Sequence, residues 1–535
     1  MGYRGPVRSG AAVTQRQVDH RKKDRTAVLV GDKIVSIEEL ADAVQRAREA
    51  GRTVVHCHGV FDLLHIGHIK HLRSAREMGD MLVVTVTPDR FVDKGAHRPA
   101  FGEDLRAEAL ASLECVDFVA VNRWPTAVEA IHLIRPDYYV KGAVTDKGPR
   151  DHTDAIVREE DAVKSVGGQI HFTQEDTYCA SALINRYLDV FSPEVKLFLA
   201  DFRQKFSEAD IIGYLKRIKD LRVLTIGEAI IDEYVFCDVM NKANKDPILA
   251  AKLRFQERYA GGVLAIANHV AGFCDHVTVL TFLGSHDAQE RFVRSSLNRK
   301  ITPRFFTKGD SPTIVKRRYL EEHLSLKLIE IDEMNDEVLE ASDEEAFCAL
   351  LDELLPQFDV VIVADYGHGM FSERSINLIC EKARFLALNA QTNPGNLGFN
   401  VVSKYPRADL VTIDEIEARL EMKRRNVEIG EIAEVLAQKM NCQRFLITRG
   451  IKGTLCYERG EGFSSTPVFS VKVLDRIGGG DAFLAITAPC AALGMRAEAL
   501  GFIGNLAGAT ACAVMGNKSA IEPASFYRHI SSLMK

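Results

Sequence analysis

The sequence predicts two different α/β units in tandem, the second carrying a small β flap. Three observations predict this: two separate stretches in which β-rich apolar runs alternate with helix-period segments, a break in the second alternation near residue 310, and the absence of any internal repeat. A chain of 535 residues is also too long for one hydrophobic core. At about 150 residues per domain it calls for two to four.

Residues 1–26 hold Arg4, Arg8, Arg16, Arg21, Lys22, Lys23 and Arg25 without an apolar centre and read as a solvated flexible tail. Residues 27–192 form the first unit. In it, Thr53 to His56, Met81 to Thr87, Phe118 to Val121 and Tyr138 to Val140 are strand-like, with helical periodicity between them, which implies a parallel sheet. Residues 193–221 space Phe198, Phe202, Phe206, Ile211 and Leu215 at helix-like intervals among charges and read as a connecting helical segment. The second unit, 222–535, opens with Val223 to Gly227 and continues through Asp359 to Ala364, Leu410 to Ile413 and Arg444 to Thr448. Within it, Thr313 to Tyr319 and Leu326 to Ile331 read as a strand pair, an antiparallel flap over a site.

Composition narrows the function. With 46% hydrophobic and 27% charged residues and a formal net charge of -6, the chain is globular and offers no electrostatic case for a nucleic-acid or membrane partner. Eleven cysteines lie singly between Cys57 and Cys512, with no metal-ligand spacing, and read as reduced core residues. No apolar run reaches the roughly 18 residues that span a bilayer, and residues 1–26 lack a secretory pattern. A cytoplasmic location is expected.

In Val55-His-Cys-His-Gly-Val-Phe-Asp-Leu-Leu-His-Ile-Gly-His68, an apolar strand runs into Gly59, and His65 and His68 follow three apart where a helix should begin. Imidazoles at that spacing share one helical face, beside N–H groups that have no helical acceptor. A triphosphate fits such a place, and donors fixed by the fold stabilise charge that builds on it during attack. In Asp475-Arg-Ile-Gly-Gly-Gly-Asp-Ala-Phe483, Gly478, Gly479 and Gly480 permit a turn whose N–H groups converge on phosphate, ahead of a helical run expected from Ala482. A carboxylate at Asp481, just behind that turn, can take the proton from a hydroxyl that attacks the phosphate.

The first motif resembles the signature of the cytidylyltransferase-like nucleotidylyltransferases, and the resemblance continues through Leu72–Asp80, Thr85–Asp89, Lys94–Pro99, Arg106, Val140–Gly142 and Ser181. It implies a Rossmann-like parallel-sheet domain. It also implies that His65 and His68 hold nucleotide phosphates, that Gly59 and Phe61 line the nucleotide site, and that Lys94, Arg106, Lys141 and Ser181 meet nucleotide or substrate. The second motif resembles that of ribokinase-type (PfkB) sugar kinases, whose other pieces follow in order. Asp232 and the pair Gly261 and Gly262 match the sugar side, Asp365 to Gly369 the central strand end, Thr448, Gly450 and Gly453 a nucleotide loop, and Asn505 the adenosine-side helix.

Departures are visible too. Ala265 stands where relatives carry Asn, so Asn268 becomes the candidate sugar ligand. Asn389 to Asn400 is an unusual amide-rich segment, and Asp414 precedes Glu417, the candidate metal ligand. In the flap, Lys316, Arg317 and Arg318 either reach a phosphate on the sugar or keep an edge strand from aggregating.

The same two modules, in the opposite order, resemble the bifunctional heptose 7-phosphate kinase and heptose 1-phosphate adenylyltransferase family. That resemblance implies a sugar kinase using ATP, a nucleotidyl transfer from ATP or CTP to a sugar 1-phosphate, a magnesium ion held mainly by phosphates, and a homodimer joined through the kinase flap. A polyol-phosphate cytidylyltransferase fused to an idle kinase-like module is the alternative.

Overall fold

The computed structural model describes residues 30–92, 98–142, 154–173, 191–243, 245–323, 326–424, 426–469 and 473–535. Contacts divide the chain into one unit of Met1–Val92 and Phe101–Tyr178 and a second of Cys179–Lys535 together with Asp93–Ala100.

In the first unit, apolar runs become strands β1 (Val54–Gly59), β2 (Met81–Val86), β3 (Phe118–Val121), β4 (Tyr138–Gly142) and β5 (Gln169–Thr173). They form a parallel sheet in the order β3-β2-β1-β4-β5. Strand alternation splits the core: Val55 and Cys57 pack with Leu72, Ala75 and Leu110 on one face, and Val54 and Val83 pack with Ile37, Leu40 and Val44 on the other. Strand order reverses between β1 and β4, which opens a crevice at their carboxyl ends. The helix Ile66–Glu77 starts there.

The second unit is built from β6 (Arg222–Gly227), β7 (Ala229–Lys242), β8 (Leu249–Gly262), β9 (His276–Gly284), β10 (Ile301–Lys308), β11 (Ile314–Glu321), β12 (Leu326–Glu333), β13 (Val360–Asp365), β14 (Leu386–Ala390), β15 (Leu410–Asp414), β16 (Arg444–Thr448), β17 (Thr454–Glu458) and β18 (Gly462–Thr466). Its main sheet runs β10-β9-β6-β13-β14-β15-β16-β17-β18, parallel as far as β16 and antiparallel beyond. The order reverses between β6 and β13, so Gly227 and Asp365 border the second crevice. Both α/β folds are therefore those expected.

Three local expectations are corrected. The flap is a four-stranded sheet, β12-β11-β7-β8, because β7 follows β6 after a single residue and pairs with the long β8, with no helix between. The segment 193–221 is not a mere connector. Its helices Pro193–Lys205 and Glu208–Arg217 bury Val195, Leu199, Phe202, Ile211 and Leu215 in the second unit's core, with Phe202 stacked on Phe502 at 4.5 Å. Finally, the helix after the triple glycine begins at Gly479, so Asp481 lies within its first turn. No helix among the described residues is long and apolar enough to cross a membrane.

Two candidate active sites

At the first crevice, His65 caps the helix Ile66–Glu77, and its Nδ1 accepts the Gly67 N–H at 3.1 Å. Burial lowers its pKa, so the neutral ring carries its proton on Nε2. That atom is buried without a hydrogen-bond partner among the described residues, which leaves its N–H able to donate to an anion. The His68 ring stacks on His65 at 3.9 Å and meets Phe61 edge-on at 5.3 Å. Phe61 sits at φ 50, and a Cβ on Gly59 would come within 3.1 Å of its ring. The four motif residues thus form one cluster at the end of β1.

Beneath them, the Thr85 hydroxyl bonds His56 Nε2 and His58 Nδ1 at 2.8 Å each, while Thr87 Oγ1 meets His58 Nε2 at 3.2 Å. Burial, with Lys141 adding, pushes His58 down to about 3, which fixes it neutral as a support for the loop.

Two basic residues expected to meet nucleotide or substrate are engaged with protein groups. Arg106 is buried, and its guanidinium donates to the carbonyls of Phe101, Val60 and Thr87 and pairs with Asp89, so it braces the motif loop. Lys141 is paired with the buried Glu159. Lys94 and Ser181 lie outside the described residues.

At the second crevice, Gly478 (φ 81) caps the helix Gly479–Ala492, whose first-turn amides lack helical acceptors. A Cβ on Gly478 would lie 2.1 Å from Asn517 Oδ1 and one on Gly479 2.9 Å from Cys512 Sγ, whereas Gly480 faces open space. Asp481 is buried. Its Oδ1 accepts the Tyr366 hydroxyl at 2.9 Å and the Gln391 amide at 3.3 Å. Burial, reinforced by Asp232, pushes its pKa up to about 7. Asp232 is itself buried against Gly261, where a Cβ would sit 2.1 Å from Oδ2. Arg318 and Asn517 hold its two oxygens. Gly262 then starts the helix Val263–Phe273.

Other expected residues have structural work. Asn268 holds the turn at Ser296 and Asn298 with both ends of its amide, so it does not replace the missing sugar ligand. Glu417 accepts the Thr392 and Asp414 N–H groups with its two oxygens, which accounts for it without a metal. Among the described residues, no group of three His, Cys, Asp or Glu side chains gathers as a metal site. Asn505 bonds Thr466 O and Thr454 Oγ1 rather than facing a ligand. Gly453 packs beside it, where a Cβ would meet Thr466 O at 1.9 Å, and Gly450 opens the short turn Gly450–Lys452 after Thr448. Arg317 pairs with Glu233 and Glu333, and Arg318 with Asp232 and Glu330, so the phosphate role falls away for both.

Sequence reasoning gave no individual role to Glu228, to Tyr366 within the Asp365–Gly369 match, or to Gln391 within the amide-rich segment Asn389–Asn400. Glu228 accepts the Tyr366 and His368 N–H groups, and burial beside Asp365 raises its pKa to about 7. The one available signal was position: Glu228 follows the β6 strand end and Tyr366 the β13 strand end, the two sides of the crevice.

The pfkB family carbohydrate kinase model matches residues 220–524. The chain belongs to that family. A cytidylyltransferase-like model matches residues 56–195, ahead of the PfkB part. Among curated relatives, the bifunctional protein HldE of Syntrophotalea carbinolica is 38% identical over 173 residues, which is 32% of this chain and 34% of that protein. HldE of Geotalea uraniireducens is 38% identical over 156 residues, 29% of each. The chain thus spans about a third of the length of the curated relatives it matches. Of solved structures, phosphofructokinase-2 from Escherichia coli with substrates and products has a TM-score of 0.49 at 14% identity, covering 58% of this chain and 100% of that one. Ribokinase from Thermotoga maritima has a TM-score of 0.45 at 17% identity, covering 57% and 99%.

Proposed function

We propose that this PfkB-family chain is a bifunctional sugar-activating transferase. In the kinase, 222–535 with the helices before it, a hydroxyl oxygen of a heptose-like sugar or sugar phosphate attacks the γ-phosphorus of ATP. The bond to the bridging oxygen breaks, ADP leaves, and the anomeric hydroxyl proton passes to Asp481. Asp232 orients the sugar, and the amides of Gly479 and Gly480 meet the transferred phosphoryl group. The observation that carries this reading is the buried Asp481 carboxylate in the first turn of a glycine-led helix, with Asp232 adding to its pKa shift.

In the other unit, 27–192, a sugar 1-phosphate oxygen attacks the α-phosphorus of ATP or CTP and pyrophosphate leaves. His65 Nε2–H and His68 contact the phosphates. A magnesium ion bound with either nucleotide supplies charge neutralisation. Lys94 and Ser181 are proposed to meet this nucleotide, and Thr448, Gly450 and Gly453 the kinase ATP. The chain acts in the cytoplasm without nucleic acid or membrane. It is proposed to be a dimer through the outer flap face, where Leu253, Leu326, Ile329 and Ile331 are exposed.

The test is to incubate the protein with magnesium, ATP or CTP, and a panel of sugars and sugar 7-phosphates including heptoses, with a phosphatase in parallel. Mass spectrometry is expected to find a sugar 1-phosphate and a nucleotide sugar. A nucleotidylated polyol without any sugar phosphorylation would overturn the proposal.

A further inference from the structure

Asp481 is held in an asymmetric way. Both of its hydrogen-bond donors, the Tyr366 hydroxyl at 2.9 Å and the Gln391 amide at 3.3 Å, bind the same oxygen, Oδ1. The donors come from different strand ends, Tyr366 after β13 and Gln391 after β14.

Tyr366 is fixed at three points. Its backbone N–H donates to Glu228 Oε2 at 3.0 Å, its carbonyl accepts the Asn393 amide at 2.7 Å, and its hydroxyl reaches Asp481. Gln391 is tied through its own N–H to the Asp365 carbonyl at 2.8 Å, and the next residue, Thr392, donates to Glu417. Asp365 is in turn held by Gly367 N–H, Asn400 Nδ2 and Tyr405 Oη, so the two segments that carry the donors are tied to each other and cannot drift easily. Much of the amide-rich segment Asn389 to Asn400 is accounted for by this scaffold.

We propose that Tyr366 and Gln391 are positioning residues that clamp Asp481 by Oδ1 and reserve Oδ2 as the oxygen that receives the sugar proton. This rests on the kinase reading above. A carboxylate with one oxygen pinned presents the other in a fixed direction, which is what a near-attack geometry requires. Donors to the ionised form also favour it and offset part of the burial cost. Among the titratable groups around the carboxylate, Asp232 from β7 opposes ionisation, and Glu417 from the helix Glu415–Met422 is raised chiefly by its own burial, with Asp414 and Asp481 adding. Tyr366, buried beside Asp481, stays protonated, its pKa held well above the usual phenol range, and so remains a donor throughout.

The experiment titrates Asp481 itself. Protein labelled with 13C at the Asp carboxyl carbon is followed by infrared spectroscopy against pH, and the difference from Asp481→Asn isolates one carboxylate. Tyr366→Phe is expected to raise its midpoint by about one pH unit, the size expected of one hydrogen bond to an ionised carboxylate. Gln391→Leu should raise it less, through its longer contact. Because Gln391 is a loop residue, it carries the test even if Tyr366→Phe folds poorly. Unchanged midpoints in the folded variants overturn the clamp.

In parallel, phosphoryl transfer by Tyr366→Phe should lose about tenfold in kcat with KM for ATP within twofold, as orientation effects do. If Asp481→Asn phosphorylates sugar normally, the kinase reading fails, while the infrared midpoints still decide whether the clamp exists.

Discussion

Asp475 ties the glycine loop to the flap, and removing it should destabilise the second unit more than any surface change. The carboxylate is buried and accepts four donors: the Tyr234 hydroxyl at 2.6 Å, Lys327 Nζ at 2.6 Å, the Gly516 N–H at 3.0 Å and the Ile477 N–H at 3.2 Å. Tyr234 and Lys327 belong to flap strands β7 and β12. In Asp475→Ala, the Lys327 ammonium turns to water and contributes little. The Tyr234 hydroxyl and the Gly516 amide, in contrast, are stranded in buried positions. At about 1–3 kcal/mol for each stranded donor, the loss is about 4 kcal/mol. Asp475→Asn keeps the shape and should lose less.

The pH dependence has a definite sign. Burial alone would raise the Asp475 pKa, but Lys327, Tyr234 and the Ile477 amide outweigh it and hold it below the usual carboxylate range. A depressed pKa contributes stability above the unfolded value of about 4, and that contribution is lost as pH falls through the folded value. The gap between wild type and Asp475→Ala should therefore be full at pH 7 and narrow in acid. Urea unfolding followed by far-ultraviolet circular dichroism measures it, because the single tryptophan, Trp124, reports only the first unit. A loss under about 1 kcal/mol at pH 7 would refute the reasoning.

Two further outcomes follow from the kinase geometry. Gly261→Ala puts a Cβ 2.1 Å from Asp232 Oδ2 and must displace that carboxylate, so kcat/KM for sugar phosphorylation should fall by about 100-fold, the size of an ångström-scale misplacement; steady-state kinetics with an unchanged rate would contradict it. Because Asp481 must be ionised to accept a proton and its pKa is pushed up to about 7, kcat/KM should fall as pH drops below about 7, and a pH–rate profile whose acid limb lies near 4 instead would count against Asp481 as the base.

The architecture was readable because both units rest on periodicity. Val54–Gly59 and Val360–Asp365 are apolar runs bounded by turn residues, and two alternations without a repeat imply two sheets. Motif residues came together for a similar reason: His65, His68 and Asp481 lie within one helical turn of a glycine or cap, so local sequence fixes their relation. Long-range contacts were not readable. Arg106 and Lys141 are basic residues near a phosphate motif, yet their partners Val60, Thr87 and Glu159 are set by how helices pack on the sheet. Nothing local distinguishes an arginine that meets phosphate from one that braces a loop. Likewise the helices of 193–221 look like a linker by charge, and their burial in the second unit's core, with Phe202 packed on Phe502, shows where they belong.

The most direct test of two working sites compares products from wild type, His68→Ala and Asp481→Asn under the same magnesium and nucleotide conditions. The account predicts that Asp481→Asn loses the sugar 1-phosphate by about 100-fold or more yet still nucleotidylates added sugar 1-phosphate, and that His68→Ala does the reverse. Loss of both products in either variant, or of neither, would contradict it.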